Sequence, residues 1–157
     1  MNIETAIKAT KPMPFETKTV INILYTSRFI EEHIQAILKR FDPTLTAPQY
    51  NVLRILQGQE GKPVNLATVQ ERMIDKNSNT TRLIDKLVSK KYVKSCICKT
   101  NRRKIELSIT LNGQTILAKI LPELDAFNKA ITKKFTNNTF IEFNDTLDNL
   151  RNYERTP

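Results

Sequence analysis

From Phe15 to Phe41 the apolar residues Val20, Leu24, Ile30, Ile34, Ile37, Leu38 and Phe41 fall on one helical stripe, which predicts a first helix of about seven turns. Asp42 and Pro43 stop it. Thr46 and Gln49 have capping-box spacing, with Pro48 harmless in the first turn, so a second helix is expected to run to about Gln57. Gly58 and Gly61 punctuate a turn, Val64 forms a brief strand, and Asn65 caps a short helix that turns Leu66, Val69 and Met73 inward. The polar run at 75–79 then opens an amphipathic helix. Leu83, Ile84, Leu87 and Val88 make its apolar face, and Ser78, Thr81, Arg82, Asp85, Lys86 and Ser89 make the opposite one.

Beyond residue 92 the period changes to two. Val93, Ser95 and Ile97 alternate with Lys94, Cys96 and Cys98, and Ile105, Leu107, Ile109 and Leu111 alternate with Lys104, Glu106, Ser108 and Thr110. That pattern is a hairpin whose tip is Lys99-Thr100-Asn101-Arg102-Arg103. Thr110 caps a long helix carrying Ile116 through Phe135, bent or interrupted near Pro122. A second capping-box spacing, Thr139 to Glu142, begins a final helix with Phe143, Leu147 and Leu150. Residues 1–14, with Pro12 and Pro14 and no sustained period, read as an arm.

The predicted fold is mainly α with a small β-hairpin wing, a winged helix-turn-helix plus N- and C-terminal dimerisation helices. One domain spans 1–157, with the arm at 1–14, dimerisation helices at 15–41 and 111–152, and the winged-helix region at 45–110. The first and fifth helices are too long for one small core, which points to exchange between protomers of a twofold dimer. No apolar run approaches the roughly 20 residues that cross a bilayer, and the first residues lack the apolar core of a signal peptide, so a cytoplasmic protein without a membrane role is expected.

Charge adds the decisive detail. Residues 76–104 hold ten bases and one acid, a balance of +9, which equals the net charge of the whole chain. The other residues carry 15 bases and 15 acids. A neutral body with one cationic surface suits a polyanion, and the bases coincide with the amphipathic helix and the hairpin tip. An α-helix fits the major groove of duplex DNA, where all four base pairs are distinguishable. Asn77, Ser78, Asn79, Thr81 and Arg82 are suited to base edges or phosphates, Arg82 can grip guanine bidentately, and Lys86 adds charge on the same face. At the tip, Lys99, Arg102, Arg103 and Lys104 would meet the minor groove and its backbone, where the potential is most negative. Helix capping is the alternative role for Asn77 and Ser78. Lys90 and Lys91 are expected to close the helix favourably against its dipole.

These segments resemble the MarR family of bacterial transcriptional regulators. LTAPQYNVLRIL (45–56), TTRLIDKLVSKKYV (80–93) and NRRKIELSITLNG (101–113) carry the resemblance, which extends over roughly residues 16–150. It implies a homodimer whose first helix and last two helices interlock, each protomer presenting a recognition helix and a wing to half of a near-palindromic double-stranded DNA operator. It also implies a repressor that releases DNA when a small aromatic or amphipathic effector binds. Two positions depart from the pattern. Asn101 stands where the family usually has an aspartate before the wing arginines, and Ile74 and Asp75 stand where a glycine and an apolar residue are common. A β-branched residue resists positive φ, so that turn is expected to take another shape.

Other chemistry has less support. Cys96 and Cys98 are the only cysteines; two apart on a strand, their Cα atoms are about 6 to 7 Å apart, at the limit for a disulfide. They read as small reduced strand residues, and the alternative is a cysteine-based redox-sensing regulator, with Lys94 and Lys99 lowering a thiol pKa. His33 is the sole histidine, which disfavours a metal site. No phosphate-binding glycine loop, nucleophile elbow, His-based triad or zinc motif occurs, so no enzyme and no cofactor is expected. A non-enzymatic module binding RNA or an acidic protein is the rival from another class.

Overall fold

The structure, a computed structural model, describes residues 2–97 and 105–152. The helices are α1 (Ile3–Ala6), α2 (Phe15–Phe41), α3 (Ala47–Gln57), α4 (Leu66–Arg72), α5 (Thr80–Ser89), α6 (Leu111–Ile131) and α7 (Asn137–Arg151). Three strands, β1 (Val64–Asn65), β2 (Val93–Ile97) and β3 (Ile105–Ile109), form an antiparallel sheet in the order β1-β3-β2. Two compact units divide at Pro122.

In the first unit, the core is where the periodic residues converge. Leu38 of α2, Leu45, Val52, Leu53 and Leu56 of the α3 region, Val69 and Met73 after it, Ile84 and Leu87 of α5, and Val93 and Leu107 of the sheet are all buried. Each is a large aliphatic side chain, so removing any one leaves a cavity as well as losing its transfer free energy. Polar ties set the angles between elements. The Gln35 amide donates from Nε2 to the Leu45 carbonyl at 2.8 Å and accepts from the Ala47 N–H at 3.0 Å, stitching α2 to the entrance of α3. That entrance is a capping box, as expected: Gln49 N–H donates to Thr46 Oγ1, and Thr46 N–H to Gln49 Oε1.

Residues 2–13 do not form a free arm. Asn2 caps the short helix α1, Ile3 is buried, and Glu4 pairs with Lys18 of α2 at 2.8 Å while accepting the Met13 N–H at 3.2 Å. The hydrogen bonds from Lys18 and Met13 lower the Glu4 pKa. Only four residues long, α1 carries too little periodicity to be legible against its prolines.

At the other end of the unit, Thr110 behaves as a cap for α6, accepting the Gly113 N–H at 3.1 Å. Gly113 itself is required by packing: a Cβ there would lie 2.3 Å from the Tyr92 carbonyl oxygen and 2.7 Å from Ile109 Cγ1. The assigned helix continues through Pro122 to Ile131 rather than being interrupted, although proline supplies no N–H for the turn behind it.

In the second unit, α7 begins three residues earlier than the Thr139 spacing implies. Thr136 is the cap, its Oγ1 accepting the Thr139 N–H at 3.2 Å, because a hydroxyl three residues ahead of an N–H satisfies it regardless of which threonine precedes a glutamate. Phe135 packs its ring against Phe140 and Phe143, with centroids 5.2 and 5.7 Å away, and closes the corner between the two helices.

Candidate nucleic-acid interface

The helix α5 reads out as the charge pattern demands. Its buried side is Thr80, Ile84 and Leu87, with Leu83 and Val88 half-buried, and its outer side exposes Thr81, Arg82, Asp85, Lys86 and Ser89. Among the described residues no ion pair involves Arg82 or Lys86, so their charges face solvent. The free N–H groups of the first turn add a partial positive charge that attracts phosphate.

Asn77 and Ser78 precede the helix instead of lying in it. Asp75 organises this turn: its carboxylate accepts the Asn77 N–H at 3.0 Å and the Ser78 hydroxyl at 2.7 Å. Those two hydrogen bonds lower the Asp75 pKa, holding it ionised. Asn79 is the N-cap, with Oδ1 accepting the Arg82 N–H at 3.0 Å, so its amide oxygen is engaged in the helix start. Lys76 reaches back to the Glu71 carbonyl at the end of α4.

The turn avoids the conformation that its side chains resist. Positive φ at described non-glycine residues occurs at Lys8, Glu60 and Lys91, and neither Ile74 nor Asp75 adopts it. Ile74 is exposed, and its N–H donates to Asn51 Oδ1 of α3 at 2.9 Å, an anchor that sequence period alone does not reveal.

At its far end α5 stops in a Schellman arrangement, Tyr92 N–H donating to the Leu87 carbonyl and Lys91 N–H to Val88, with Lys91 left-handed at φ 60°. Lys90 closes the helix as expected, but it also does something the charge pattern conceals. Its ammonium donates to Asp42 Oδ2 at 2.7 Å and to Thr44 Oγ1. The Tyr92 hydroxyl donates to the same Asp42 oxygen at 3.2 Å. Partial burial pushes the Asp42 carboxyl upward, but the hydrogen bonds from Lys90 and Thr44 outweigh it and hold the pKa at about 2. Burial and the Asp42 charge raise that of Tyr92. Asp42 was legible only as a helix stop.

From Val93 the two strands of the wing pair in register, Val93 with Ile109, Ser95 with Leu107 and Ile97 with Ile105. Only Val93 and Leu107 are buried; Ile97 and Ile105 are exposed, so the hairpin leaves the body as it lengthens. Cys96 is exposed, opposite Glu106. Lys99, Arg102, Arg103 and Lys104, and with them Cys98 and Asn101, lie outside the described residues.

A helix-turn-helix whose second helix, α5, exposes Arg82 and Lys86, followed by a paired hairpin, is a winged helix. Residues 45–105 match the model of the MarR family. The fold is MarR-like. Solved structures share the MarR-like fold over most of the chain. A MarR-like transcription regulator from Bacillus cereus aligns with TM-score 0.74 and 18% identity, covering 87% of this chain and 95% of its own. An organohalide-sensing transcriptional regulator in its 2,4-dichlorophenol-bound form aligns at 0.79 and 15%, over 92% and 86%. BpsR of Bordetella bronchiseptica, whose DNA binding is regulated by 6-hydroxynicotinic acid, aligns at 0.68 and 19%, over 92% and 100%. No curated protein is similar to this MarR-like chain in sequence. No described helix is long and apolar enough to cross a membrane, and no described cluster of three or more His, Cys, Asp or Glu could hold a metal ion.

Proposed function

We propose that the protein is a homodimeric, sequence-specific double-stranded DNA-binding transcriptional regulator, a repressor released by a small aromatic or amphipathic effector. The observation that carries the reading is the coincidence of charge and shape: the residues holding the chain's entire surplus of +9 include the exposed face of α5. Arg82 and Lys86 there supply contacts to base edges and phosphates, Thr81 adds a hydroxyl, and Asn77 and Ser78 stand at the helix mouth where phosphate binds. Arg102, Arg103, Lys99 and Lys104 would carry the same charge into the minor groove.

Dimerisation is supported by the apolar residues exposed along α2 and α7. Effector release is supported by the similar proteins sensing organohalides and responding to 6-hydroxynicotinic acid. Repression places the protein in the cytoplasm with its operator.

Gel-shift comparison of palindromic duplexes, unrelated duplexes and RNA at fixed salt tests the reading. A preference for half-sites about one helical turn apart supports it, and equal binding to RNA overturns it in favour of a general polyanion module. Arg82→Ala is expected to weaken binding to the preferred duplex by about 1–3 kcal/mol and to alter sequence preference. Titration with aromatic acids is expected to loosen the complex.

A further inference from the structure

Asp42 lies where four elements end or begin. Its N–H closes α2 on the Leu38 carbonyl at 3.1 Å, and its carbonyl accepts the Leu45 N–H on the way into α3. One carboxylate oxygen accepts the Thr44 N–H and hydroxyl at 2.9 and 2.8 Å. The other receives Lys90, the C-cap of α5, and Tyr92, the residue before β2. Tyr92 and its neighbour Lys91 are fastened to the root of the opposite strand: Thr110 N–H donates to the Tyr92 carbonyl at 3.0 Å and its hydroxyl to the Lys91 carbonyl at 2.6 Å, with Gly113 pressed against Tyr92 behind them. The recognition helix, both strands of the wing and the start of α6 therefore form one joint. The end of α2 meets that joint at the Asp42 carboxylate.

Two properties make this contact a geometric clamp rather than a surface ion pair. The side chains of Lys90 and Asp42 are only 18% and 13% exposed, so water competes poorly for either partner, and losing one leaves a largely sequestered charge. Two donors converge on one carboxylate oxygen, the ammonium from the C-cap of α5 and the phenol from the residue before β2, so the end of α2 is tied to both. The joint matters because α2 has 27 residues and its most exposed apolar side chains, Phe15, Val20 and Leu24, lie in its first half, while Asp42 caps its C-terminus. A small rotation at that end swings α5 of each protomer in opposite senses about a twofold axis.

We propose that the Asp42 carboxylate, clasped by Lys90 and Tyr92, is the positioning group that locks the recognition helix and wing root onto the dimerisation helix, and thereby sets the half-site spacing this protein accepts on duplex DNA. This rests on the regulator reading above. It also removes Lys90 from the DNA contacts, although Lys90 belongs to the cationic window.

The test uses a duplex selected from a random pool by the parental protein, derivatives with its half-sites moved by single base pairs, and an unrelated duplex. In full-length Asp42→Asn, Tyr92→Phe and Lys90→Met, affinity for the selected duplex is expected to fall roughly tenfold while displaced half-sites are discriminated less. Affinity for the unrelated duplex and the salt slope stay at parental values. A merely structural role lowers melting temperature and leaves spacing discrimination intact, and that result overturns the proposal. So does a salt slope reduced by about one in Lys90→Met, which makes Lys90 a phosphate contact. Should Asp42→Asn fail to fold, Tyr92→Phe, which keeps the ring and deletes one donor, decides alone. A parental protein that prefers no spacing at all overturns the regulator reading itself and the clamp with it, whereas a preference kept in all variants overturns only the clamp.

Discussion

The two halves of α2 obey the same period and meet opposite fates. Near its C-terminus Ile37 and Leu38 are buried, Leu38 completely, against the winged-helix core. Near its N-terminus Phe15 is 84% exposed and Leu24 65%, with Val20, Tyr25 and Phe29 exposed between and beyond them. α7 repeats the open case, since none of its residues is buried and Phe140, Ile141, Phe143 and Leu150 are all exposed. One region is complete in a single chain; the other leaves large apolar side chains exposed along α2 and along α7, the kind of surface that marks an interaction site. The lesson is that period specifies that a face will be buried, but not by which chain.

That contrast breaks if stability responds alike in both regions. Leu53→Ala, in the closed region, carries the largest expected effect: about 2–5 kcal/mol lost in denaturant unfolding, independent of protein concentration, because the side chain has no exposed surface. A loss that scales with concentration would place the core, too, in the assembly. Next comes Gly113→Ala, expected to cost about 1–3 kcal/mol through the clash with Tyr92 and Ile109, since one of the obstructing atoms is backbone. Melting that is unchanged in this variant would show that the wing root is looser than the packing implies.

Acid sharpens the same boundary. Asp42 has its pKa lowered from 3.8 to about 2, so the folded state binds its proton less readily than the unfolded chain. The stability it contributes is therefore fully present above about pH 4 and is lost as pH falls toward 2, an amount of about 1–2 kcal/mol after solvent screening. In Asp42→Asn this part of the acid slope disappears, and a parental slope retained in that variant would assign it to other carboxylates. Smallest is Leu24→Ser in the open region, with unfolding of the dilute protomer changed by no more than about 0.5 kcal/mol. Sedimentation is where it shows: the parent is expected to associate and the variant to associate less. Equal association of both would remove that stretch of α2 from the interface.

Much of this was legible because the signals are local. The spacing of Thr46, Pro48 and Gln49 set the start of α3, and the change of period after Tyr92 located the hairpin, since both depend on neighbours within a turn or a strand. Local reading erred where two local solutions compete. Thr136 and Thr139 can each cap a helix, and the chain uses the first. Ser78, read as part of the polar face of the helix, is drawn together with Asn77 into a turn by Asp75, because a carboxylate two or three residues upstream offers their hydroxyl and N–H a partner before the helix does.

The sequence by itself determined the order of elements from α2 onward, the apolar faces of the longer helices and the concentration of all surplus charge on one segment, because backbone periodicity and formal charge need no knowledge of distant partners. Tertiary structure alone decided that Gln35 stitches α2 to α3, that Asn51 anchors the turn at Ile74, and that Lys90 is withdrawn from the cationic surface to meet Asp42, 48 positions away. Such choices depend on which polar groups the packed core brings within about 3 Å of each other, and that distance has no counterpart along the chain.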